Sequence, residues 1–451
     1  MVLAHPFETG RQRMDGNAKR TWVVRESEGD PVRYSTAAFT LFASVVLSVD
    51  PAEPPRTLLE WVRDTRAARL KGDHRAWLEA GLHALALAPD HPDLLISVAR
   101  ARAALGQAKE SIALVRQAVD RGAGIDVARI PELQRLPPSP ELEALIDDAR
   151  RNLGSVPRAQ IFALISDSAA PEGITYDPVS RRVFVGTIHG EILQVDERGQ
   201  VSVFVPRDSG LLQVLGLKVD PDRKLLWAVN GIFPELLISE APKPEVGVGG
   251  IHAFRLADGK VAGKYWLDER PLLHGFNDLA LARNGDVYVT DSAQAAVYRV
   301  HAGKLELFVR DEHLTFANGT VLAPDQKRLY VASVEGISLV DVPTRKVRRL
   351  AVPANASVHS IDGLAYHRGD LIGVQSSPYL GRVVRISLGI DGRSVRRVST
   401  LSSRSPVEYN QTTAVVAGDQ LYVVAGTPAV DTAGAPLAKE PKPQIVKIPL
   451  R

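Results

Sequence analysis

One phrase recurs six times after Pro157: an anchor residue, a short apolar strand, a turn, and a second strand rich in Val, Ile, Leu and Tyr. The copies are Glu172-GITYDPVSRRVFVGT, Leu215-GLKVDPDRKLLWAVN, Asn277-DLALARNGDVYVTDS, Asn318-GTVLAPDQKRLYVAS, Asp362-GLAYHRGDLIGVQSS and Gln411-TTAVVAGDQLYVVAG. Asp-Pro, Asn-Gly and Asp-Gly pairs between apolar runs are turn signals with a stereochemical basis, so each copy reads as a hairpin. Most copies continue into a third and fourth strand, as in ISLVDVPTRKVRRLAV after the fourth anchor. The anchors stand 43, 62, 41, 44 and 49 residues apart. That period fits one four-stranded blade per repeat and predicts an all-β six-bladed β-propeller over residues 156–451. The long second interval holds an insert around Glu235–Gly250, expected as a loop. Val156–Ile165 (VPRAQIFALI) precedes the first anchor and is placed to supply the outer strand of the last blade, closing the ring.

Residues 57–155 obey a different period. Apolar residues return at three and four positions (Leu58, Leu59, Trp61, Val62; Leu94, Leu95, Val98), which is helical spacing. Gly72 and Gly106 break the pattern 34 residues apart, Pro89 ends a helix and Pro92 opens the next. Paired helices at that period are the tetratricopeptide signature, and Trp77, Ala84 and Ala118 fall where packing residues are wanted. Only about two repeats are visible, too few to make much concave surface, so a packed helical cap is expected ahead of a peptide-binding groove. A protein partner through this domain stays open. The propeller is thus expected to be preceded by a small α-helical, tetratricopeptide-like domain.

Residues 1–56 form an N-terminal segment. Its first 33 residues are polar and basic, and residues 34–49 (YSTAAFTLFASVVLSV) carry no charge. Sixteen residues are too few for a stable membrane span but suit the apolar region of a signal peptide. The segment leaves two locations open: exported (periplasmic or secreted) if it is a signal, cytoplasmic otherwise. The 55 basic and 52 acidic residues nearly cancel, and no run of Lys or Arg interleaves with aromatics, which argues against a nucleic-acid partner. Cysteine is absent, which excludes thiolate nucleophiles and Cys-based zinc sites.

In a propeller the innermost strands line one axis, so residues that begin them converge although they lie far apart in sequence. Glu172, Asn277, Asn318 and Asp362 would bring four oxygen donors, two of them anionic, to one mouth. Calcium takes carboxylate and amide oxygens with about 6–8 ligands. Zinc prefers imidazole or thiolate, and the anchors offer neither. Calcium is therefore the metal expected, with other divalent cations open.

Residues 158–450 resemble the family of senescence marker protein (regucalcin) and the gluconolactonases and, more distantly, diisopropylfluorophosphatase and the paraoxonases. The resemblance rests on Glu172 in Pro-Glu-Gly-Ile-Thr-Tyr-Asp-Pro, on Phe276-Asn277-Asp278, on Asn318-Gly319, on Asp362-Gly363 and on Thr412-Thr413. It implies a central calcium and hydrolysis of a small-molecule lactone or ester, with Asp362 both metal ligand and general base. His274, His313 and His359 stand three, five and three residues before anchors, so they are expected on loops at the metal-bearing mouth. His274 and His359 are the candidate proton shuttles, as in the paraoxonase-like enzymes. His189 and His252 read as blade residues. The sugar-lactone members carry an Arg where this chain has Gly275, and Phe276, Phe316, Ile361 and Tyr409 are expected near the mouth, so the pocket is expected to favour a more apolar ester or lactone. Two other classes stay open. One is a non-catalytic propeller that calcium merely staples; the other is a lyase related to the streptogramin-inactivating propellers, which would need a His-rich pocket that the anchors do not supply.

Overall fold

The structure, a computed structural model, describes residues 56–166, 169–232, 247–403, 410–426 and 442–451. The chain divides into two compact units, Met1–Pro54 and Pro55–Arg451, and all described residues belong to the second. The apolar stretch 34–49 and Tyr409 lie outside them. No helix among the described residues is long and apolar enough to cross a membrane.

Among the described residues, five α-helices come first: α1 (Leu58–Lys71), α2 (His74–Leu87), α3 (Pro92–Ala104), α4 (Ala108–Asp120) and α5 (Pro140–Asn152). Their ends follow from local chemistry. Thr57 and Glu60 form a reciprocal capping box at the start of α1, Asp73 caps α2, and Pro92 occupies the first turn of α3, where its missing N–H costs nothing. Gly72 and Gly106, at φ 72° and 75°, turn α1 into α2 and α3 into α4. Two hairpins repeat at the 34-residue period, with Trp77, Ala84 and Ala118 buried between helices.

Six four-stranded antiparallel sheets follow. Their innermost strands are Pro171–Tyr176, Leu217–Asp220, Phe276–Leu281, Thr320–Leu322, Ile361–His367 and Ala414–Ala417. No blade has a core of its own. The apolar clusters are wedges between neighbours: Phe184 and Ile192 of blade one pack on Leu226 and Phe254 of blade two, and Tyr330 and Leu339 of blade four pack on Leu371 and Ile386 of blade five. Strands so placed are buried on both faces, which explains runs such as Val183–Thr187, buried throughout. The ring closes through Gln160–Leu164, which pairs antiparallel with Gln444–Pro449 at the outer edge of blade six. Its Ala163 and Ile165 join the wedge between blades six and one. Residues 233–246 of the long second interval are not described, but Gly249 and Gly250, expected in the loop, already belong to the third strand of blade two.

The helices dock on blade five. Asp93, in the first turn of α3, accepts hydrogen bonds from the hydroxyls of Ser360 (3.0 Å) and Ser377 (2.6 Å). The Gly124 N–H donates to the Tyr379 carbonyl (2.9 Å). Tyr379 itself sits in the helical core, with its hydroxyl 3.5 Å from Arg100. These contacts fix the helical domain as a cap on the propeller.

Candidate functional site

The anchors occupy β-bulges. The ladder between the first and second strands of a blade slips at Pro171/Ile174, at Phe276/Leu279 and at Ile361/Leu364, which is where Glu172, Asn277 and Asp362 stand. A bulge puts two residues opposite one and re-aims the extra side chain. The residue two positions before the anchor is left-handed in four blades: Ala170, Phe316, Ser360 and, before Thr412, Asn410 have φ of 44°, 53°, 56° and 41°. A left-handed conformation is costly for a bulky Phe and persists only where surroundings enforce it.

Consecutive anchors then touch. The Gly319 N–H donates to the Asp362 carbonyl (2.9 Å), and the Gly363 N–H to the Thr412 carbonyl (2.9 Å). The hydroxyls of Thr412 (3.4 Å) and Thr413 donate to the Glu172 carbonyl, closing the circle across the seam. The glycine after the anchor is what permits this approach: a Cβ on Gly216 would stand 2.4 Å from the Asn277 carbonyl oxygen, and one on Gly319 2.3 Å from that of Asp362. In blade six the same pattern falls on Thr412-Thr413, since Thr412 N–H donates to Val424 and Thr413 accepts from it. The sixth anchor is therefore Thr412, one residue beyond the expected Gln411. Gln411 lies buried beside it, with its Nε2 unpartnered.

The electrostatics of this circle are those of an uncompensated acid cluster. Burial, and then the charge of Asp362, pushes the Glu172 carboxyl well above the usual carboxylate range, with a Thr412 hydrogen bond pulling the other way. Burial raises Asp362 to about 7; an Asn318 hydrogen bond opposes this and the charge of Asp278 adds to it. Two part-buried carboxyls that repel each other ionise together more readily when a cation stands between them. Asn318 turns its amide N–H to Asp362, leaving its Oδ1 buried with no donor. An orphaned amide oxygen beside a charge-frustrated carboxylate pair suits a hard divalent cation. Among the described residues no three Asp, Glu or His side chains gather as a metal cluster, so such a cation would need the amides as well as the acids. Asn277 sits in its own bulge; its Nδ2 donates to the Ser292 hydroxyl (3.2 Å), which donates to the carbonyl of Ala317, next to Asn318. The residues present fit calcium.

Asp278, in the sequence only one half of the Asn277-Asp278 pair with no role assigned, also stands at this circle. Its carboxylate accepts from Lys218 Nζ (3.2 Å) and from the Thr320 N–H (3.0 Å), and it lies close enough to raise Asp362. Its visible signal was an acid in the glycine position after the anchor.

The histidines divide. The His274 side chain is fully enclosed in blade three, its Nδ1 2.7 Å from Asp291 Oδ2 and its ring stacked on Phe276 at 5.1 Å. Its Nε2 stands 3.2 Å from Glu269 without hydrogen-bonding alignment. Asp291 also accepts from the Gly275 N–H (2.9 Å), so the pair shapes the segment that presents Asn277. Phe276 belongs to the apolar wedge between blades two and three, not to the mouth. His313 pairs with Glu335 at 3.4 Å. His359 is buried, with Nδ1 3.2 Å from the Ser357 hydroxyl and its ring 5.0 Å from that of His91; burial, then His91, pushes its pKa well down. The structure does not bring His274 or His359 into hydrogen-bonding contact with the four anchors.

A cavity of about 370 Å³ lies between cap and propeller, with Asn318, Asp362, Phe316 and Ile361 in its wall. Its other side is helical, formed by Leu59 and Val62 of α1 and by His91 and Leu94 at the start of α3. Nothing in the sequence marked His91, because it lies outside the six propeller repeats and shows there only as the residue before Pro92.

The profile of the family described as "SMP-30/Gluconolactonase/LRE-like region" matches residues 170–404. No curated protein matches the chain in sequence. Among solved structures, the PQQ-bound aldose sugar dehydrogenase of Streptomyces coelicolor is 14% identical over 66% of this chain and 99% of its own, with a TM-score of 0.44. A luciferin-regenerating enzyme is 13% identical over 66% and 95%, with a TM-score of 0.46. Virginiamycin B lyase of Staphylococcus aureus is 15% identical over 65% and 99%, with a TM-score of 0.43. At these values none of the three bears on function.

Proposed function

Because the chain belongs to the SMP-30/gluconolactonase/LRE-like family, we propose that it is a calcium-dependent hydrolase of a small lactone or ester, acting where the innermost strands meet. The observation that carries the reading is the Asn318 Oδ1, buried without a donor beside a Glu172–Asp362 pair whose carboxyls are held above the usual range by burial and by neighbouring acid charge. Glu172, Asn277, Asn318 and Asp362 would hold the metal. Calcium bound there would supply Lewis-acid polarisation of the substrate carbonyl.

The chain's own groups supply the rest. Asp362 lines the cavity, where its carboxylate can accept a proton. Once a dication stands beside it, its basicity falls. Lys218 neutralises Asp278 and leaves the other two acids to the metal. His274 keeps the Asn277 segment in place through Asp291. His359 is held neutral, against His91 of the cap. Phe316 and Ile361 exclude water from the cavity and favour an apolar acyl or alkyl group.

Calorimetric titration with calcium, together with a panel of lactones and aryl esters, tests the proposal. Wild type is expected to bind calcium and hydrolyse at least one member, and Asp362→Ala to lose both. Calcium binding without turnover of any ester would assign the circle a structural role.

A further inference from the structure

We propose that the helical domain is half of the substrate site: α1 and α3 supply an apolar wall (Leu59, Val62 and Leu94) and a polar contact in His91, beside Asp93, whose carboxylate is taken up by Ser360 and Ser377. The ligand is then a compact carbonyl compound carrying an apolar substituent. This deepens the hydrolase reading and rests on it for the carbonyl.

The cavity is a chamber whose propeller side carries the two polar anchors and whose helical side is largely apolar. Val334 of blade four packs against the cluster of Leu58, Ala84 and Leu94, so helix and blade share one apolar surface at the chamber's edge. At about 370 Å³ the chamber falls at the small end of ligand sites, which typically span 300–1,000 Å³.

The wall is fixed. Asp93 ties α3 to Ser360 and Ser377, and Ser360 is two residues from Asp362. The first turn of α3 is thereby held in register with the anchor. His91 precedes that turn, and its Nδ1 accepts from the Asp93 N–H (3.2 Å). In the neutral ring this leaves the proton on Nε2, as a donor. Burial keeps His91 neutral. It is the imidazole that lines the chamber together with Asn318 and Asp362, a place that neither His274 nor His359 holds among the residues lining it. An N–H at that point is suited to a carbonyl or ester oxygen.

The test uses calcium-loaded protein and two non-hydrolysable ketones, cyclopentanone and 2-pentylcyclopentanone, with binding read by calorimetry. Wild type should bind the pentyl compound about tenfold or more tightly than the parent ring, because its tail is buried against the helical wall. Val62→Trp and Leu59→Trp fill the chamber from the cap side and should erase that preference while leaving calcium affinity unchanged. His91→Asn keeps a residue able to cap α3 and should weaken both ketones by a similar factor. Equal affinity for the two ketones in wild type, failure to bind either, or a preference that survives both tryptophans would overturn the proposal. The hydrolase reading fails separately: if the ketone pattern holds and no ester is turned over, the chamber stands and hydrolysis falls.

Discussion

Asp362 carries the sharpest prediction at the scale of single residues. Its folded pKa, about 7, exceeds the ordinary value of 3.8. The folded metal-free protein therefore binds this proton more tightly than the unfolded chain does. The stabilisation is complete below about pH 4 and is lost as pH rises through about 7. Glu172 shifts in the same direction. His91 and His359, buried and neutral, act oppositely and favour the folded state as pH rises toward the ordinary histidine value. The informative quantity is therefore a difference between proteins. In EGTA, Asp362→Asn should gain in melting temperature over wild type as pH rises from about 4 to about 7. In calcium the ionised carboxylates are favoured, so wild-type affinity should climb over the same interval. A difference in EGTA that stays flat with pH would mean that the circle is not frustrated. The shared position of Glu172, Asn277, Asn318 and Asp362 at the start of their innermost strands was legible in the sequence because repetition gives each of them a phase. His274 and Phe276 were not. Proximity to an anchor in sequence does not fix on which side of the blade a residue falls, and both turn into the wedge between blades two and three.

At the scale of elements, the bulge with its following glycine is the working unit. Hairpins and turns could be read from alternation and from Asp-Pro or Asn-Gly pairs. The bulges could not, because one extra residue looks like a slip in an otherwise regular pattern, and the sixth anchor was misplaced by one residue for that reason. The docking of α3 was equally hidden: Asp93 resembles any acid in a helix's first turn, where the helix dipole alone would favour it. The unit makes its own prediction. Gly319→Ala would set a Cβ 2.3 Å from the Asp362 carbonyl oxygen and 2.7 Å from the Leu364 nitrogen, both of them backbone atoms with little room to yield. It should cost about 1–3 kcal/mol in urea denaturation. Because it moves blade four away from blade five, calcium affinity should fall at least tenfold as well. Full calcium affinity in a destabilised variant would show that the metal site does not depend on this contact.

At the scale of the whole molecule, the seam between blades six and one governs both stability and site. The closing strand was visible as an apolar segment ahead of the first anchor. What the sequence could not show is that the seam passes through the site: Glu172 on one side is held by Thr412 and Thr413 on the other. Closing the ring joins residues some 280 positions apart, the costliest loop in the chain by closure entropy. The seam should therefore open first. Ala163, buried among Ile174, Val185, Val424 and Ile445, is the place to test it. Ala163→Asp puts an unpaired carboxylate into that wedge and should cost about 3–5 kcal/mol. Val300→Asp does the same in the wedge between blades two and three, away from the seam. In a urea series followed by far-ultraviolet dichroism and calcium titration, the Ala163 variant should lose calcium while most of its strand signal remains. The Val300 variant should lose the two together. If both variants lose calcium and strand signal in step, the ring opens as one unit, and the seam is no weaker than any other wedge.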